Sequence, residues 1–215
     1  MPEAHRPNPR GRNPADSGAG AAKAALRAQL AAGRRSVEPE DAARRRTSAA
    51  LTISHGHRII ALYCSVGDEP DTWSLIDALF AGGSTLLLPL LGRRPDGTVR
   101  REPDWAVYAG RDELRTGYAG IPEPTGGGIG ADSLRSASLV WCSALAATPS
   151  GDRLGTGGGW YDRALRYAAP DALIGVLLRD REVLDVLPVE PFDRAVDLIV
   201  TESRTIRTIR AAAPE

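Results

Sequence analysis

A glycine-rich stretch in the second half of the chain carries the strongest chemical pattern in the sequence. Residues 153–165 read RLGTGGGWYDRAL, in which Gly155, Gly157, Gly158 and Gly159 directly precede a helix-forming run. Glycine destabilises regular structure, so it concentrates where the backbone takes a positive φ or approaches a ligand closely. The free N–H groups at the start of a helix favour anions. The pattern indicates either a phosphate cradle or a turn that binds nothing, and the glycines alone do not choose between them.

The residues beside the glycines favour the phosphate cradle. Arg153 directly precedes them and can pair with a phosphate through two parallel hydrogen bonds. Trp160 and Tyr161 add flat aromatic surfaces. Asp162 is either a magnesium ligand or an ordinary first-turn acid favoured by the helix dipole. The stretch is not a P-loop, because no Gly-Lys-Ser/Thr follows, and Trp160 replaces the third glycine of the dinucleotide-binding fingerprint.

Composition and charge exclude several classes of partner. The chain has 215 residues, of which 27 are basic and 27 acidic, so it lacks a net charge that would attract nucleic acid or an acidic membrane. No apolar run approaches the roughly 20 residues that span a bilayer, and the N-terminus lacks the apolar core of a signal peptide. Cys64 and Cys142 lie inside apolar stretches, which is typical of buried, reduced thiols. We therefore expect a cytoplasmic protein without nucleic-acid or membrane partners.

Buried strands and helices alternate along most of the chain. Apolar runs of strand length, typical of strands buried on both faces of a parallel sheet, lie at 58–65, 84–91, 137–145, 171–178 and 196–203. A helix between the first two runs has Asp71 or Thr72 as its cap. The alternation predicts an α/β fold: a single three-layer domain with a mostly parallel sheet.

Composition also sets the limits of this domain. Residues 1–18 are rich in proline, glycine, asparagine and arginine and have no apolar period, which predicts a disordered tail. The α/β domain is expected over 19–208. Residues 209–215 are expected to form a C-terminal tail.

Two helices precede the first strand and predict an N-terminal helical hairpin. The first covers 19–35, and on it Lys23 and Arg27 are four residues apart and share one face. The second begins with Ser36 as its cap and Pro39 in its first turn.

The order of these motifs resembles that of the 5-formyltetrahydrofolate cyclo-ligase family, also called methenyltetrahydrofolate synthetases. The glycine-rich stretch is similar to the family's RLGxGxGYYDR motif, which is fairly specific. The other pieces are individually weak: the K-x-x-x-R of the first helix, the glutamate in SVGDEPD, the GIPEP at 120–124 and the LPVEPFD at 187–193. The resemblance extends from about Lys23 to Thr201.

Members of this family use ATP and Mg²⁺ to convert 5-formyltetrahydrofolate to 5,10-methenyltetrahydrofolate, with release of ADP and phosphate. Phosphorylation turns the formyl oxygen into a good leaving group, and N10 of the folate then closes the ring. Catalysis depends on positioning and on neutralising the charge of the transferred phosphoryl group. The resemblance implies an ATP- and Mg²⁺-dependent ligase with a reduced folate as substrate, and a monomer.

The resemblance also implies which residues bind ATP. Lys23, Arg27 and Arg153 would contact the triphosphate, and Lys23 and Arg153 would be catalytic. The nucleotide cradle would consist of Leu154, Gly155, Thr156, Gly157, Gly158, Gly159, Trp160 and Tyr161. Without the resemblance, a solvated helix face is the better explanation of Lys23 and Arg27.

The resemblance further implies folate and metal ligands. Glu69, Thr156 and Trp160 would bind the folate, with Glu69 at the polar edge of the pterin. Asp162 and Asp193 would hold Mg²⁺. Glu69 as a plain loop charge and Asp193 as a cap are the alternatives.

Four positions depart from the family pattern: Ser143 replaces a proline, Thr148 an aspartate, Thr156 a large residue, and Phe192 a histidine or asparagine. These departures motivate a rival hypothesis, in which the protein is a catalytically weakened or inactive paralogue that binds nucleotide or folate for regulation. An unrelated α/β enzyme with another phosphorylated ligand is a third hypothesis, but it leaves Lys23 unexplained.

Overall fold

The computed structural model describes residues 14–36, 38–94, 96–188 and 194–209. The α-helices in these ranges are α1 (Pro14–Arg34), α2 (Glu40–Ser54), α3 (Trp73–Ala81) and α4 (Trp160–Ala164). The strands are β1 (Ile59–Leu62), β2 (Thr85–Pro89), β3 (Trp105–Val107), β4 (Leu114–Thr116), β5 (Pro122–Pro124), β6 (Leu139–Cys142), β7 (Ala146–Ala147), β8 (Arg153–Leu154), β9 (Leu173–Leu177), β10 (Leu198–Val200) and β11 (Thr205–Arg207). Short 3₁₀ helices cover Arg111–Glu113, Tyr118–Gly120, Ala131–Ser136, Leu165–Tyr167 and Asp180–Glu182. None of the helices in the described ranges is long and apolar enough to cross a membrane.

Seven strands form the central sheet, in the order β11-β10-β9-β6-β1-β2-β3. Its five inner strands are parallel, while β3 and β11 pair antiparallel at the two edges. Each inner strand corresponds to one of the apolar runs in the sequence. These runs are apolar because layers of side chains cover both faces of the strands. The prediction of a mostly parallel α/β sheet is confirmed.

Alternating side chains of the sheet face two different cores. On one face, Ile60, Leu62 and Trp141 pack with the apolar residues of α2 and α3. On the other face, Val140 and Ile174 pack with α4 and the neighbouring 3₁₀ helices. The domain therefore has three layers, as predicted.

The N-terminal segment differs from the sequence prediction in two ways. Helix α1 begins at Pro14, so residues 14–18 are helical rather than part of a tail. Proline is well tolerated in the first turn of a helix, where its missing N–H would have no partner. The remainder of the predicted N-terminal tail, and residues 210–215 of the C-terminal one, lie outside the described residues.

The two N-terminal helices also pack on different parts of the domain rather than as a simple hairpin. Helix α2 packs on α3 and the sheet. Helix α1 instead places Leu26 and Leu30 against Leu154 and Leu187, close to the β7–β8 pair. The apolar face of α1 therefore packs beside the glycine-rich stretch.

The predicted start of α2 is wrong, whereas one of the two predicted caps of α3 is confirmed. Ser36 donates its hydroxyl to the carbonyl of Gly33 at the end of α1, and Pro39 is the residue before α2. At α3, the Asp71 carboxylate accepts hydrogen bonds from the first backbone N–H groups, whereas the Thr72 hydroxyl donates to the carbonyl of Tyr63. Asp71 therefore caps this helix.

Candidate active site

A cavity of about 370 Å³ opens beyond the carboxyl ends of β1 and β6. Ligands of open α/β sheets bind at this edge, because the loops that follow the parallel strands meet there. The cavity is lined by residues from α1, the loops after β1, β2 and β6, the turn before β5, and the stretch 153–162. All the predicted site residues that the structure describes line this one cavity. Asp193 lies outside the described residues.

The glycine loop lies on the cavity wall, and only some of its glycines are required by the backbone. Gly157 has a φ of +107° and Gly159 a φ of +61°, both in the region that side chains rarely adopt. A side-chain carbon added at Gly158 would meet nothing within 4 Å. The open space beside Gly158 lets a ligand come close to the main chain.

Helix α1 brings cationic side chains to this loop. The Arg27 Nε atom donates a hydrogen bond to the carbonyl of Gly155 at 2.9 Å. Lys23, one turn earlier, is 4% exposed and lines the same cavity. Burial of an ammonium group is unfavourable without compensating interactions. Lys23 is therefore not part of a solvated helix face.

Arg153 and Asp162 form an ion pair on the cavity wall. Arg153 is buried, Asp162 is half-buried, and the guanidinium donates to Asp162 Oδ1. A second guanidinium nitrogen donates to the carbonyl of Ser143 at 3.3 Å. Arg153 Nε is buried and has no hydrogen-bond partner among the described residues. A guanidinium in this position can donate hydrogen bonds to a phosphate. The carboxylate of Asp162 lies on the same wall of the cavity.

Glu69 reaches the cavity from the loop after β1. Its carboxylate accepts a hydrogen bond from the backbone N–H of Val66 at 3.0 Å. Burial raises the pKa of Glu69, although the Val66 hydrogen bond and the charge of Arg34 oppose the rise. A partly buried carboxylate of this kind can accept hydrogen bonds from N–H groups of a ligand.

Three aromatic rings pack edge-to-face where the start of α4 meets β3. The Trp160 ring lies edge-to-face with Trp105 at 5.0 Å and with Tyr161 at 4.9 Å between centroids. The Tyr161 hydroxyl is buried without a hydrogen-bond partner among the described residues, and burial raises its pKa well above the usual value. Tyr161 therefore contributes a buried, protonated phenol to the wall of the cavity.

Sequence reasoning missed the apolar wall of the cavity, which consists of Tyr63, Cys64, Val66, Pro89, Leu91 and Ile121. Most of the wall lies just after the carboxyl ends of β1 and β2. Ligands bind at this edge of a parallel sheet, so the position of these residues could have identified the wall from the sequence.

Cys64 and Cys142 are buried free thiols, as predicted, and burial raises the pKa of Cys64 to about 12.

The GIPEP segment shapes this wall through Glu123. Glu123 is 1% exposed, and its carboxylate accepts hydrogen bonds from the backbone N–H groups of Leu91, at 2.7 Å, and Gly92. The carboxylate thus fixes the loop after β2, which carries Leu91 into the cavity.

The departures from the family pattern have distinct surroundings. Ser143 lines the cavity, and its backbone carbonyl accepts a hydrogen bond from Arg153. Thr148 is fully buried, and its hydroxyl bonds to Ser150 and to the carboxylate of Asp152 in a turn. Thr156 lines the cavity and is exposed. Phe192 lies outside the described residues.

The fold and the cavity together define an α/β protein with a glycine-rich loop and clustered cations, an arrangement that can bind a phosphorylated ligand. Comparison of the sequence gives the particular family. The family model of the 5-formyltetrahydrofolate cyclo-ligase family matches residues 19–202, so the chain belongs to this family.

Curated relatives cover most of the chain. The 5-formyltetrahydrofolate cyclo-ligase of Mycolicibacterium smegmatis is 35% identical over 193 residues, which are 87% of this chain and 97% of that protein. The protein of the same name from Escherichia coli K12 is 28% identical over 180 residues, 80% of this chain and 95% of its own.

Two solved structures share the fold. The 5,10-methenyltetrahydrofolate synthetase of Aquifex aeolicus matches with a TM-score of 0.70 at 24% identity, over 90% of this chain and 96% of that one. The 5,10-methenyltetrahydrofolate synthetase of Mycoplasma pneumoniae matches with a TM-score of 0.63 at 17% identity, over 84% and 98%.

Proposed function

We propose that this protein is an ATP- and Mg²⁺-dependent 5-formyltetrahydrofolate cyclo-ligase. It converts 5-formyltetrahydrofolate to 5,10-methenyltetrahydrofolate by phosphorylation of the formyl oxygen, followed by ring closure by N10. Family membership supports the reaction. The observation that carries the proposal is that Lys23, Arg27, Glu69 and the stretch 153–162, which are far apart in the sequence, line one cavity.

The nucleotide binds at the glycine loop in this proposal. Lys23, Arg27 and Arg153 contact the triphosphate and stabilise the charge that spreads over the transferred phosphoryl group. The loop from Leu154 to Tyr161 cradles the phosphates, which approach closest beside Gly158. Lys23 and Arg153 are the catalytic cations.

The residues that would hold Mg²⁺ are Asp162 and Asp193. The described residues contain no group of three or more His, Cys, Asp or Glu side chains placed to hold a metal ion. Mg²⁺ is usually bound by one or two carboxylates together with substrate phosphates. When bound, Mg²⁺ neutralises phosphate charge.

The folate binds between Glu69 and the aromatic start of α4. The carboxylate of Glu69 accepts hydrogen bonds from the polar edge of the pterin, and Trp160 and Thr156 contact the same ligand. The apolar wall excludes water, which would otherwise compete for the phosphorylated intermediate.

We further infer that the enzyme acts as a monomer in the cytoplasm. The buried free thiols are compatible with a reducing compartment. Neither nucleic acid nor membrane is expected to bind, given the zero net charge.

A turnover assay tests the proposal. Purified protein is mixed with 5-formyltetrahydrofolate, ATP and Mg²⁺, and the near-ultraviolet absorbance of the methenyl product is followed. Product should form only when all three are present. Product that fails to form despite measurable nucleotide binding would instead support the regulatory paralogue.

Lys23→Ala should lower kcat/KM about 10- to 100-fold, because a charge-assisted contact contributes about 1.5–3 kcal/mol. Gln29→Ala, at an exposed position of the same helix, serves as the control and should keep the rate. Equal rates for the two variants would contradict the role given to Lys23.

A further inference from the structure

A buried arginine, Arg179, lies just after the carboxyl end of β9. The strand ends at Leu177, and Arg179 is 6% exposed. Burial of a guanidinium is unfavourable unless its N–H groups find acceptors. The acceptors that Arg179 uses therefore indicate what the residue does.

The guanidinium of Arg179 joins two segments that are separate in the sequence. Its Nη1 atom donates to the backbone carbonyls of Arg34 at 2.9 Å and Ser36 at 3.3 Å, at the end of α1. Its Nη2 atom donates to the backbone carbonyl of Asp68 at 3.2 Å, in the loop after β1. One side chain thus connects the end of α1 to this loop.

The two segments carry different halves of the proposed site. Helix α1 carries Lys23 and Arg27, which we propose contact the nucleotide. The Asp68 carbonyl belongs to the peptide group that leads into Glu69, which we propose contacts the folate. Because a peptide group is planar, a hydrogen bond to its oxygen also restricts the backbone of Glu69.

Ion pairing alone does not explain Arg179. Its Nε atom lies 3.7 Å from Glu38 Oε1, which is longer than a hydrogen bond, and has no hydrogen-bond partner among the described residues. Glu38 instead accepts a hydrogen bond from Arg46 at 2.7 Å. The hydrogen bonds of the Arg179 side chain go to backbone carbonyls. A planar guanidinium donates in fixed directions, so it holds these segments in one relative position.

Arg179 is itself held in place by Glu182. The backbone N–H of Arg179 donates to Glu182 Oε2 at 3.0 Å. The same oxygen accepts a hydrogen bond from the Arg34 guanidinium at 2.8 Å. The end of α1 and the start of the segment after β9 therefore share one buried carboxylate, which gives Arg179 a fixed base.

We propose that Arg179 is a positioning residue that makes the binding of nucleotide and folate cooperative. This inference rests on the proposed function. A nucleotide that fixes α1 also fixes, through Arg179, the loop that carries Glu69. The folate then binds to a loop that is already ordered, and its own ordering cost is smaller. The effect is reciprocal, so each ligand strengthens the binding of the other by the same factor.

Calorimetric titration of the 215-residue chain tests the cooperativity. The Kd of 5-formyltetrahydrofolate is measured with and without saturating ADP and Mg²⁺, and the Kd of ADP with and without the folate. ADP lacks the phosphoryl group that would meet the formyl oxygen, which limits direct contact between the ligands and prevents turnover. In the wild-type protein, each ligand should lower the Kd of the other about fivefold. Arg179→Ala should bring this factor close to one.

Arg179→Lys provides a second variant if Arg179→Ala does not fold. Lysine keeps the positive charge close to Glu38, but one ammonium group does not reproduce the two directions in which the guanidinium nitrogens donate. The variant should therefore fold and still lose most of the cooperativity. A purely structural role of Arg179 would lower the melting temperature and leave the factor unchanged.

Arg181→Ala is the matched control on the same 3₁₀ helix. Arg181 is exposed and donates to the Gly33 carbonyl at 2.7 Å and to the Ser36 hydroxyl at 2.8 Å. This variant loses contacts to the end of α1 but keeps the bond from Arg179 to Asp68, so it should keep the wild-type factor.

Three results would overturn the role of Arg179: a factor near one in the wild-type protein, an unchanged factor in Arg179→Lys, or an equal loss in Arg181→Ala. If the wild-type protein binds the two ligands independently and still turns over 5-formyltetrahydrofolate, the proposed function stands alone. Absence of binding for both ligands would overturn both proposals.

Discussion

Gly157 and Gly158 are neighbours in the loop, but the structure constrains them differently. Gly157 adopts a φ of +107°, and a carbon added there would lie 3.5 Å from Arg27 Nε. Gly158 has no positive φ and faces open space. The first glycine is required by the backbone, and the second by the proposed ligand.

Alanine substitutions separate these two requirements. Gly157→Ala should lower the free energy of unfolding by about 1–3 kcal/mol, because a residue with a side chain is strained at this φ. Gly158→Ala should leave the melting temperature unchanged but weaken ATP binding, because the new methyl group occupies the space beside the main chain. Thermal denaturation and nucleotide titration measure the two effects. ATP binding of wild-type strength in Gly158→Ala would place the phosphates elsewhere.

Glu69 should make both stability and activity depend on pH. Burial raises its pKa, so the folded protein holds this proton more tightly than the unfolded chain does. Its contribution to stability is therefore present below the unfolded pKa and is lost as the pH rises through the folded pKa. Activity should also change, because the carboxylate form of Glu69 that we propose binds the pterin predominates only above the raised pKa.

Glu69→Gln tests this dependence. The variant should be more stable than the wild type at neutral pH, because an ionised group no longer has to be buried. It should also raise the folate KM about tenfold, through loss of a charge-assisted contact. The measurements are denaturant unfolding and initial rates between about pH 4, close to the ordinary pKa of glutamate, and about pH 8. If the activity of the variant falls at low pH in the same way as that of the wild type, another group causes that fall.

At the scale of elements, α1 is anchored at its end by a buried ion pair. The Arg34 guanidinium donates to both carboxylate oxygens of Glu182 at 2.8 Å and to the Ala144 carbonyl at 2.7 Å. Burial disfavours the charge of Arg34, yet the hydrogen bond and the charge of Glu182 raise its pKa overall. The anchor fixes the helix that carries Lys23 and Arg27.

Removal of the anchor should affect both folding and nucleotide binding. Glu182→Gln leaves a buried guanidinium without its counter-charge, which costs about 3–5 kcal/mol of unfolding free energy. The ATP KM should rise in the same variant, because α1 is no longer held at its end.

Glu40→Gln is the control for this substitution. Glu40 pairs with Arg44 at 3.9 Å on the exposed side of α2. Exposed pairs of this kind contribute about 0–1 kcal/mol. Similar melting temperatures and ATP KM values for the two variants would contradict the anchoring role of Glu182.

At the scale of the whole molecule, bound nucleotide should stabilise the domain, because it joins α1 to the loop after β8. At about 100 times its Kd, a ligand adds about 2.7 kcal/mol. In a domain of this size, this corresponds to a rise in melting temperature of about 5–10 °C. Differential scanning fluorimetry with ATP and Mg²⁺ measures the rise, which should be smaller after Mg²⁺ chelation. The same rise with chelator present would argue against a role for Mg²⁺ in nucleotide binding.

The sequence allowed prediction of the inner sheet but not of the edge strand β11. Strands buried on both faces leave continuous apolar runs, as in the run 137–145 that contains β6. Strand β11 was not predicted, because its central residue is half-buried and its two ends are exposed. Strand β4 is similar, with two exposed residues out of three. Both form through backbone pairing with a neighbour, which leaves little trace in the residue types.

The site could be predicted where it is polar and local in sequence. The glycine loop and its flanking residues form one motif, and the resemblance added Lys23 and Glu69. The apolar wall could not be separated from the core, because residues such as Leu91 and Ile121 have the same side chains as core residues. The Arg34–Glu182 pair spans 148 residues, and no periodicity connects positions so far apart.

This separation has a consequence for the newly made protein. Helix α1 leaves the ribosome well before its partners Glu182 and Leu187. Until those residues emerge, the buried ion pair that anchors the end of α1 cannot form. We therefore expect a chain that stops short of Glu182 to bind ATP more weakly than the 215-residue chain does.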